Sequence, residues 1–275
     1  MITQTHSRRQ GSPFALIPAF LVAFCLFLCA ALPLPAFAQP SKEDLKEALR
    51  QVLKENPELV LDMLKENSET MLEIVREGHN LQERKAYRTR WEEDLKHPKK
   101  IHLEGRAFQG AKDAPVTIVA YSDFTCSFCR EMEQVMPQLL AQYSGKVRYT
   151  FKALPTEDAV STSLAKYATA AFMLDPEKAW KLHEEIFKNT EKFESGGEDS
   201  IKEVSTAIGF DYEKLKAEAA SPKVEEILAA DSKEAKALKI EGTPHFLVND
   251  LFIRGAVDPG TFADAIEKAL GAAAK

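Results

Sequence analysis

At 275 residues with 45% hydrophobic content the chain can bury one sizeable core, in one domain or two, which makes it globular and nothing finer. Its 36 basic and 42 acidic residues leave a net charge of −6, an acidic balance that gives no electrostatic footing for nucleic acid or an anionic membrane surface.

The first forty residues read as an address. Arg8 and Arg9 lead into an apolar run from Phe14 to Leu34, and Ala36-Phe37-Ala38 supplies the small-x-small pattern of a signal-peptidase site. Residues 1–38 are therefore expected to be a signal peptide, cleaved near Ala38, so that an exported, periplasmic or otherwise secreted, mature chain begins at Gln39. A retained anchor fits less well, because Pro18, Pro33 and Pro35 interrupt the run. A lipoprotein fits less well because Leu28 precedes Cys29, and Gln10-Gly11-Ser12-Pro13 does not continue a twin-arginine pattern. Cleavage removes two arginines and no acids, which takes the net charge to about −8.

Of the four cysteines, Cys25 and Cys29 lie in the signal segment, leaving Cys126 and Cys129 in the mature chain. A pair three apart closes too small a loop to staple a fold of this size, so its value is reactivity in an oxidising compartment.

From Ser41 to about Lys96 the chain is densely charged, with Leu45, Leu49, Val52, Leu53, Leu59, Val60, Met63, Leu64, Met71, Leu72 and Val75 at three- and four-residue spacings. That is a helical stripe, which Pro57 must interrupt, giving two or three helices. Such a stripe needs an apolar partner, either its own catalytic domain or further copies of the chain; oligomerisation of residues 39–100 is the favoured expectation. His97-Pro98-Lys99-Lys100 ends the pattern, and the catalytic domain is expected over 101–275.

Pro115 to Tyr121 reads as a buried strand, Cys126 to Tyr143 as a helix, and Lys146 to Leu154 as a half-buried strand closed by Pro155. An insertion of helices follows over about 156–239: Ala159 to Leu174, Pro176 to Lys188, Asp199 to Ile208, Tyr212 to Ala220 and Lys223 to Leu238. His245 to Val248 and Leu251 to Arg254 flank Asn249-Asp250 as a tight hairpin, and Pro259 opens a last helix toward Leu270, after which the alanines and Lys275 fray. The class is α/β, with a helical insertion, preceded by an N-terminal helical arm.

A C-x-x-C pair opening a helix after a strand has a definite chemical logic. Cys126 would sit at the helix N-terminus, where unpaired amides and the helix dipole favour a thiolate, and would be the attacking sulfur. Cys129, one turn on and more shielded, would resolve the mixed disulfide, with Ser127 and Phe128 tuning the potential. Half of a zinc site is the alternative, but a closed site wants four ligands and no second cysteine pair exists in the mature chain. Arg130 would face Cys126 or solvent, Asp123 would serve as proton acceptor or simply form a turn, and His79, His97, His102 and His183 lack ligand-like spacing. Gly242-Thr243-Pro244 opens a strand with a proline, which is a weak signal alone.

Taken together, Phe124-Thr125-Cys126-Ser127-Phe128-Cys129, a helical insertion, and Gly242-Thr243-Pro244 before a hairpin and final helix resemble the DsbA-like thioredoxin-fold family of thiol-disulfide oxidoreductases. The resemblance implies Cys126 and Cys129 as catalytic residues and no cofactor beyond their redox-active disulfide. It also implies a cis bond at Thr243-Pro244, facing the cysteines as a substrate-binding strand. His245 departs from the apolar or hydroxyl residue expected after that proline, and either touches the site or points into the other face of the hairpin. More loosely, the charged arm resembles that of the suppressor-of-copper-sensitivity C proteins. That implies an oligomeric disulfide isomerase or reductase acting on cysteine-containing exported proteins, with a membrane redox partner. The alternatives are a monomeric dithiol oxidase, or a copper-tolerance protein binding Cu(I) through Cys126 and Cys129.

Overall fold

The computed structural model describes residues 41–273. The expected signal peptide, its cleavage near Ala38, Cys25, Cys29 and the last two residues lie outside them. The described residues divide into two compact units, after Ser68.

The first unit carries α1 (Lys42–Glu55) and α2 (Pro57–Glu66). Ser41 caps α1 reciprocally: its hydroxyl accepts from the Asp44 amide at 3.1 Å and Asp44 accepts from the Ser41 amide at 3.0 Å. Asn56 separates the two helices because Pro57 cannot continue α1 and is well placed as the first residue of α2. Neither helix has a buried residue.

The second unit begins with α3 (Ser68–Asp94), then β1 (Gln109–Gly110), β2 (Val116–Ser122), α4 (Ser127–Glu133), α5 (Met136–Gln142) and β3 (Val147–Ala153). Five helices follow, α6 (Ala159–Leu174), α7 (Pro176–Lys188), α8 (Thr190–Ile208), α9 (Tyr212–Ala219) and α10 (Pro222–Ala237), before β4 (His245–Val248), β5 (Leu251–Arg254) and α11 (Pro259–Ala273). Among the described residues the strands form one sheet in the order β1-β3-β2-β4-β5, with β2 and β3 parallel and β4 antiparallel to β2. This is the expected α/β thioredoxin-like fold with its helical insertion. No described helix is long and apolar enough to cross a membrane.

β2 is buried throughout and reads as a largely apolar run, whereas β3, whose alternation suggested a half-buried strand, is buried on both faces as well, Thr150 and Lys152 included. The hairpin falls where Asn249-Asp250 puts it: Asn249 takes φ 51°, a conformation that asparagine tolerates, and its side chain accepts from the Thr117 amide at 2.8 Å.

Two helix expectations need correction. The helix expected from Cys126 to Tyr143 breaks into α4 and α5, because Pro137 has no amide for the carbonyl one turn back. The helix expected from Asp199 begins at Thr190 and kinks at Gly197, whose φ of 52° and ψ of −128° are open to glycine. The stretch that Gly105, Gly110 and Pro115 punctuate as a linker or edge segment contains the edge strand β1; Gly110 is required there, since a Cβ would lie 2.5 Å from the Val147 carbonyl oxygen.

The compact unit also starts well before residue 101. Trp91 is fully buried, and the side chains of α3 meet the outward backbone groups of the edge strand β5. Trp91 Nε1 donates to the Phe252 carbonyl at 2.8 Å, and the Phe252 amide donates to Asp94 at 3.1 Å. The Tyr87 hydroxyl donates to the Arg254 carbonyl at 2.9 Å and accepts from its amide at 3.0 Å. A helix thus closes an edge that would otherwise invite strand addition. Arg84 and Arg88 complete the docking by a fork of bonds to Asp264, holding its carboxyl down at about 2.

Candidate active site

β2 ends at Ser122, and the turn to α4 is held by Asp123. Its carboxylate is buried and saturated: Oδ1 accepts from the Thr125 amide at 2.8 Å and hydroxyl at 3.0 Å, Oδ2 from the Thr156 amide at 3.0 Å and the Ser161 hydroxyl at 2.8 Å. These bonds tie the cysteine turn to the start of the helical insertion. Of the two roles open to Asp123, it fills the structural one.

Cys126 is the N-cap residue of α4, half-buried, with its thiol 3.7 Å from the Thr243 carbonyl oxygen. The Thr243-Pro244 bond is cis. The cysteine turn and the Thr243-Pro244 segment, more than a hundred positions apart, therefore meet at one end of the sheet.

Cys129 lies one turn in, fully buried and unpaired with Cys126. The Asp123 amide donates to its sulfur at 3.4 Å, yet burial outweighs that bond and pushes the thiol up to about 12. Phe128 between them is 59% exposed, an apolar ring presented beside the half-buried sulfur. No group of three or more histidine, cysteine or acidic side chains among the described residues is arranged to hold a metal ion.

Arg130 lines a cavity between α4 and α7. His245 is buried with its ring edge-on to Phe252 at 5.5 Å, and burial, with Arg254 nearby, holds it at about 4. It is packed, as the plainer of its two readings had it. His102 accompanies a buried ionic cluster in which fully buried Lys152 pairs with Glu234 and with Asp231 at 3.4 Å. Burial favours a neutral Glu234, but Lys152, the Tyr121 hydroxyl and His102 hold its carboxyl below its ordinary range.

Sequence reasoning missed a second buried group behind the sulfurs. Glu133, one turn beyond Cys129, accepts a 2.5 Å bond from the Tyr149 hydroxyl, and His183 on α7 sits 3.8 Å from its other oxygen. The i, i+4 spacing from Cys129 was the available signal.

A family model described as Thioredoxin matches residues 102–268. A probable disulfide bond formation protein D from Bacillus cereus is 32% identical over 149 residues, covering 51% of this chain and 68% of the relative. A Na(+)/H(+) antiporter NhaA 1 from Mycolicibacterium gilvum is 27% identical over 177 residues, 63% of this chain but 27% of its own length. The chain thus spans about two thirds of the first relative and about a quarter of the second.

Among solved structures, the thiol-disulfide exchange protein α-DsbA2 of Wolbachia pipientis superposes with a TM-score of 0.55 at 21% identity, covering 68% of this chain and 96% of that one. A periplasmic thioredoxin-like protein from Salmonella enterica serovar Typhimurium gives 0.50 at 22% identity, over 61% and 91%. The catalytic domain of Proteus mirabilis ScsC gives 0.51 at 21% identity, over 61% and 90%, and so shares the fold without singling out the copper-sensitivity subgroup. With the matched family spanning the sulfur pair and the Thr243-Pro244 segment, the chain belongs to the thioredoxin family.

Proposed function

We propose that the protein exchanges disulfides with cysteine-containing exported proteins, as an oligomeric isomerase or reductase. Cys126 attacks a substrate disulfide, and the sulfur it joins is held as a mixed disulfide while the other leaves as a thiolate; Cys129 then releases the substrate by attacking Cys126. Thr243 and Pro244 hold an extended substrate segment beside Cys126 by strand addition. The observation that carries the reading is the approach of the Cys126 thiol to the Thr243 carbonyl at 3.7 Å, next to exposed Phe128.

The oligomeric preference rests on the arm. Leu45, Leu49, Val52, Leu53, Leu59 and Met63 are exposed along α1 and α2, a stripe that other copies of the chain would cover. Several sulfur pairs around one cleft let an enzyme grip and reshuffle a misfolded substrate. A signal peptide over residues 1–38 would deliver the chain to a compartment where such substrates occur, and a membrane redox partner would keep the pair cycling.

A monomeric dithiol oxidase is the second reading, favoured by the name of the Bacillus relative. Copper binding through Cys126 and Cys129 is less favoured, because it needs two thiolates and burial opposes ionisation of Cys129. Equilibration in glutathione buffers, with trapping of the redox form in the native compartment, separates the first two. A pair found mainly reduced, with isomerisation of scrambled substrate that needs residues 41–67, supports the proposal. A strongly oxidising pair found oxidised on a monomer overturns it in favour of the oxidase.

A further inference from the structure

Ser122 ends β2 and is 1% exposed. Its carbonyl is paired, accepting from the Leu154 amide at 2.8 Å, but its hydroxyl oxygen is buried with no hydrogen-bond partner among the described residues. A hydroxyl placed this way has given up its water and gained nothing in return, so it calls for a state of the molecule in which its bond is made.

Alternation along β2 fixes the side on which that hydroxyl stands. Val116, Ile118 and Ala120 belong to the core that contains Cys129, whereas Val119 and Tyr121 belong to the smaller cluster on the other face of the sheet. Ser122 has the parity of the first set, and Ala153, directly opposite it on β3, is part of the same core. The next residue touches the sulfur, since the Asp123 amide donates to Cys129 at 3.4 Å. Burial pushes this thiol up to about 12; drawing it down are the Asp123 amide, the Ser122 hydroxyl and the Thr243 hydroxyl, with the Cys126 thiol acting the other way. Of the three donors, the amide is already bonded to the sulfur and Thr243 belongs to the segment proposed to hold substrate. Ser122 is the one that is both buried and idle.

Both cysteines are free in this structure, and a neutral thiol is a weak acceptor, whereas a buried thiolate is a strong one. We propose that Ser122 is the hydrogen-bond donor for the Cys129 thiolate, idle while the thiol is protonated and engaged when the sulfur attacks. Cys129 loses its proton to base in solution, and the Ser122 O–H turns onto the bare sulfur. That sulfur attacks Cys126, so that the Cys126–Cys129 bond forms as the Cys126–substrate bond breaks. The substrate sulfur leaves with the electron pair and takes a proton from solvent; the substrate is reduced and the cysteine pair oxidised. Once the disulfide has formed, its sulfur carries no charge to hold the hydroxyl, which is released.

This role rests on the exchange chemistry proposed above, and one experiment separates the two. The full mature protein is reduced and mixed with oxidised glutathione, and quenched samples are weighed to give the rate at which Cys126 is glutathionylated and the rate at which that bond is resolved. Ser122→Ala should slow resolution at pH 7 by about three- to tenfold and leave glutathionylation unchanged; the loss is smaller than the fall in thiolate population, because a less acidic sulfur is the better nucleophile. The same variant should be at least as stable as the unaltered protein in denaturant titration, since the hydroxyl it removes has no partner while the thiol is protonated. A hydroxyl with a merely structural role would do the reverse, lowering stability and leaving resolution alone. Ser122→Thr, which keeps the hydroxyl, should resolve within about twofold of the unaltered protein. Ser122→Gly also removes the hydroxyl and serves if Ser122→Ala does not fold. A resolution rate unchanged in the variant without the hydroxyl overturns the role of Ser122, whereas failure of Cys126 to be glutathionylated in the unaltered protein overturns the exchange chemistry itself.

Discussion

Residues 41–81 and the described residues that follow them carry the same kind of apolar spacing with opposite outcomes. Leu45, Leu49, Leu72 and Val75 lie in the open, while further along α3 Tyr87 and Trp91 are buried. Within α3 the change happens in a single helix: Met71, Leu72, Ile74, Val75 and Leu81 are exposed, and the next two turns dock on β5 and α11. Helical periodicity says that a face will be covered and is silent on what covers it. The later turns add aromatic rings and side chains that bond to an open strand edge, and those are what commit them to the fold.

Substitutions at the two ends of this comparison should differ sharply. Trp91→Ala leaves a large void and frees the Phe252 carbonyl, and should cost about 3–5 kcal/mol of unfolding free energy in denaturant titration. A loss below about 1 kcal/mol would break the claim that α3 is part of the core.

Inside the unit, two buried groups should tilt stability in opposite directions with pH. His183 has a folded value of about 3 against an ordinary 6.5, so its contribution is complete above 6.5 and is lost as pH falls toward 3. Glu133 has a folded value of about 8 against 4.5, so its contribution is complete below 4.5 and is lost as pH rises through 8. Glu133→Gln should therefore gain on the unaltered protein between pH 5 and 8, by on the order of 2–4 kcal/mol, as read from thermal midpoints. Equal slopes in the two proteins would contradict the buried placement of Glu133.

Asp264→Asn is a smaller test of the α3–α11 junction. Arg84 and Arg88 depress Asp264 to about 2, so their stabilisation is present above its ordinary 3.8 and disappears as pH falls toward 2. With Arg88 largely exposed, the expected cost at pH 7 is about 1–2 kcal/mol, vanishing in acid.

The smallest stability effect belongs to the arm. Leu49→Asp combined with Leu72→Asp should change unfolding of the unit by less than about 0.5 kcal/mol, since both side chains are exposed, yet should dissociate the oligomer in sedimentation equilibrium. A monomer before substitution would remove the oligomeric part of the account.

The legible parts of the sequence were those where one local rule decides. Asn249-Asp250 fixed the hairpin, Pro57 the break between α1 and α2, and Cys126-x-x-Cys129 after an apolar run the opening of α4. What stayed hidden was tertiary. Lys152 and Glu234 are 82 positions apart and neither looks like a core residue until the sheet and α10 are assembled. In the sequence His183 is a surface or a packed histidine alike, because only packing reveals that its face is closed by Phe124 and Phe151. β1 is two residues long, too short to carry any alternation.

The division of labour between the two sulfurs is the centre of the account, and trapping tests it most directly. Cys129→Ala and Cys126→Ala proteins would each be mixed with a disulfide-bonded substrate, blocked with a thiol reagent and weighed. The account predicts a stable mixed disulfide through Cys126 in Cys129→Ala and no adduct in Cys126→Ala; adducts of equal yield in both would contradict it.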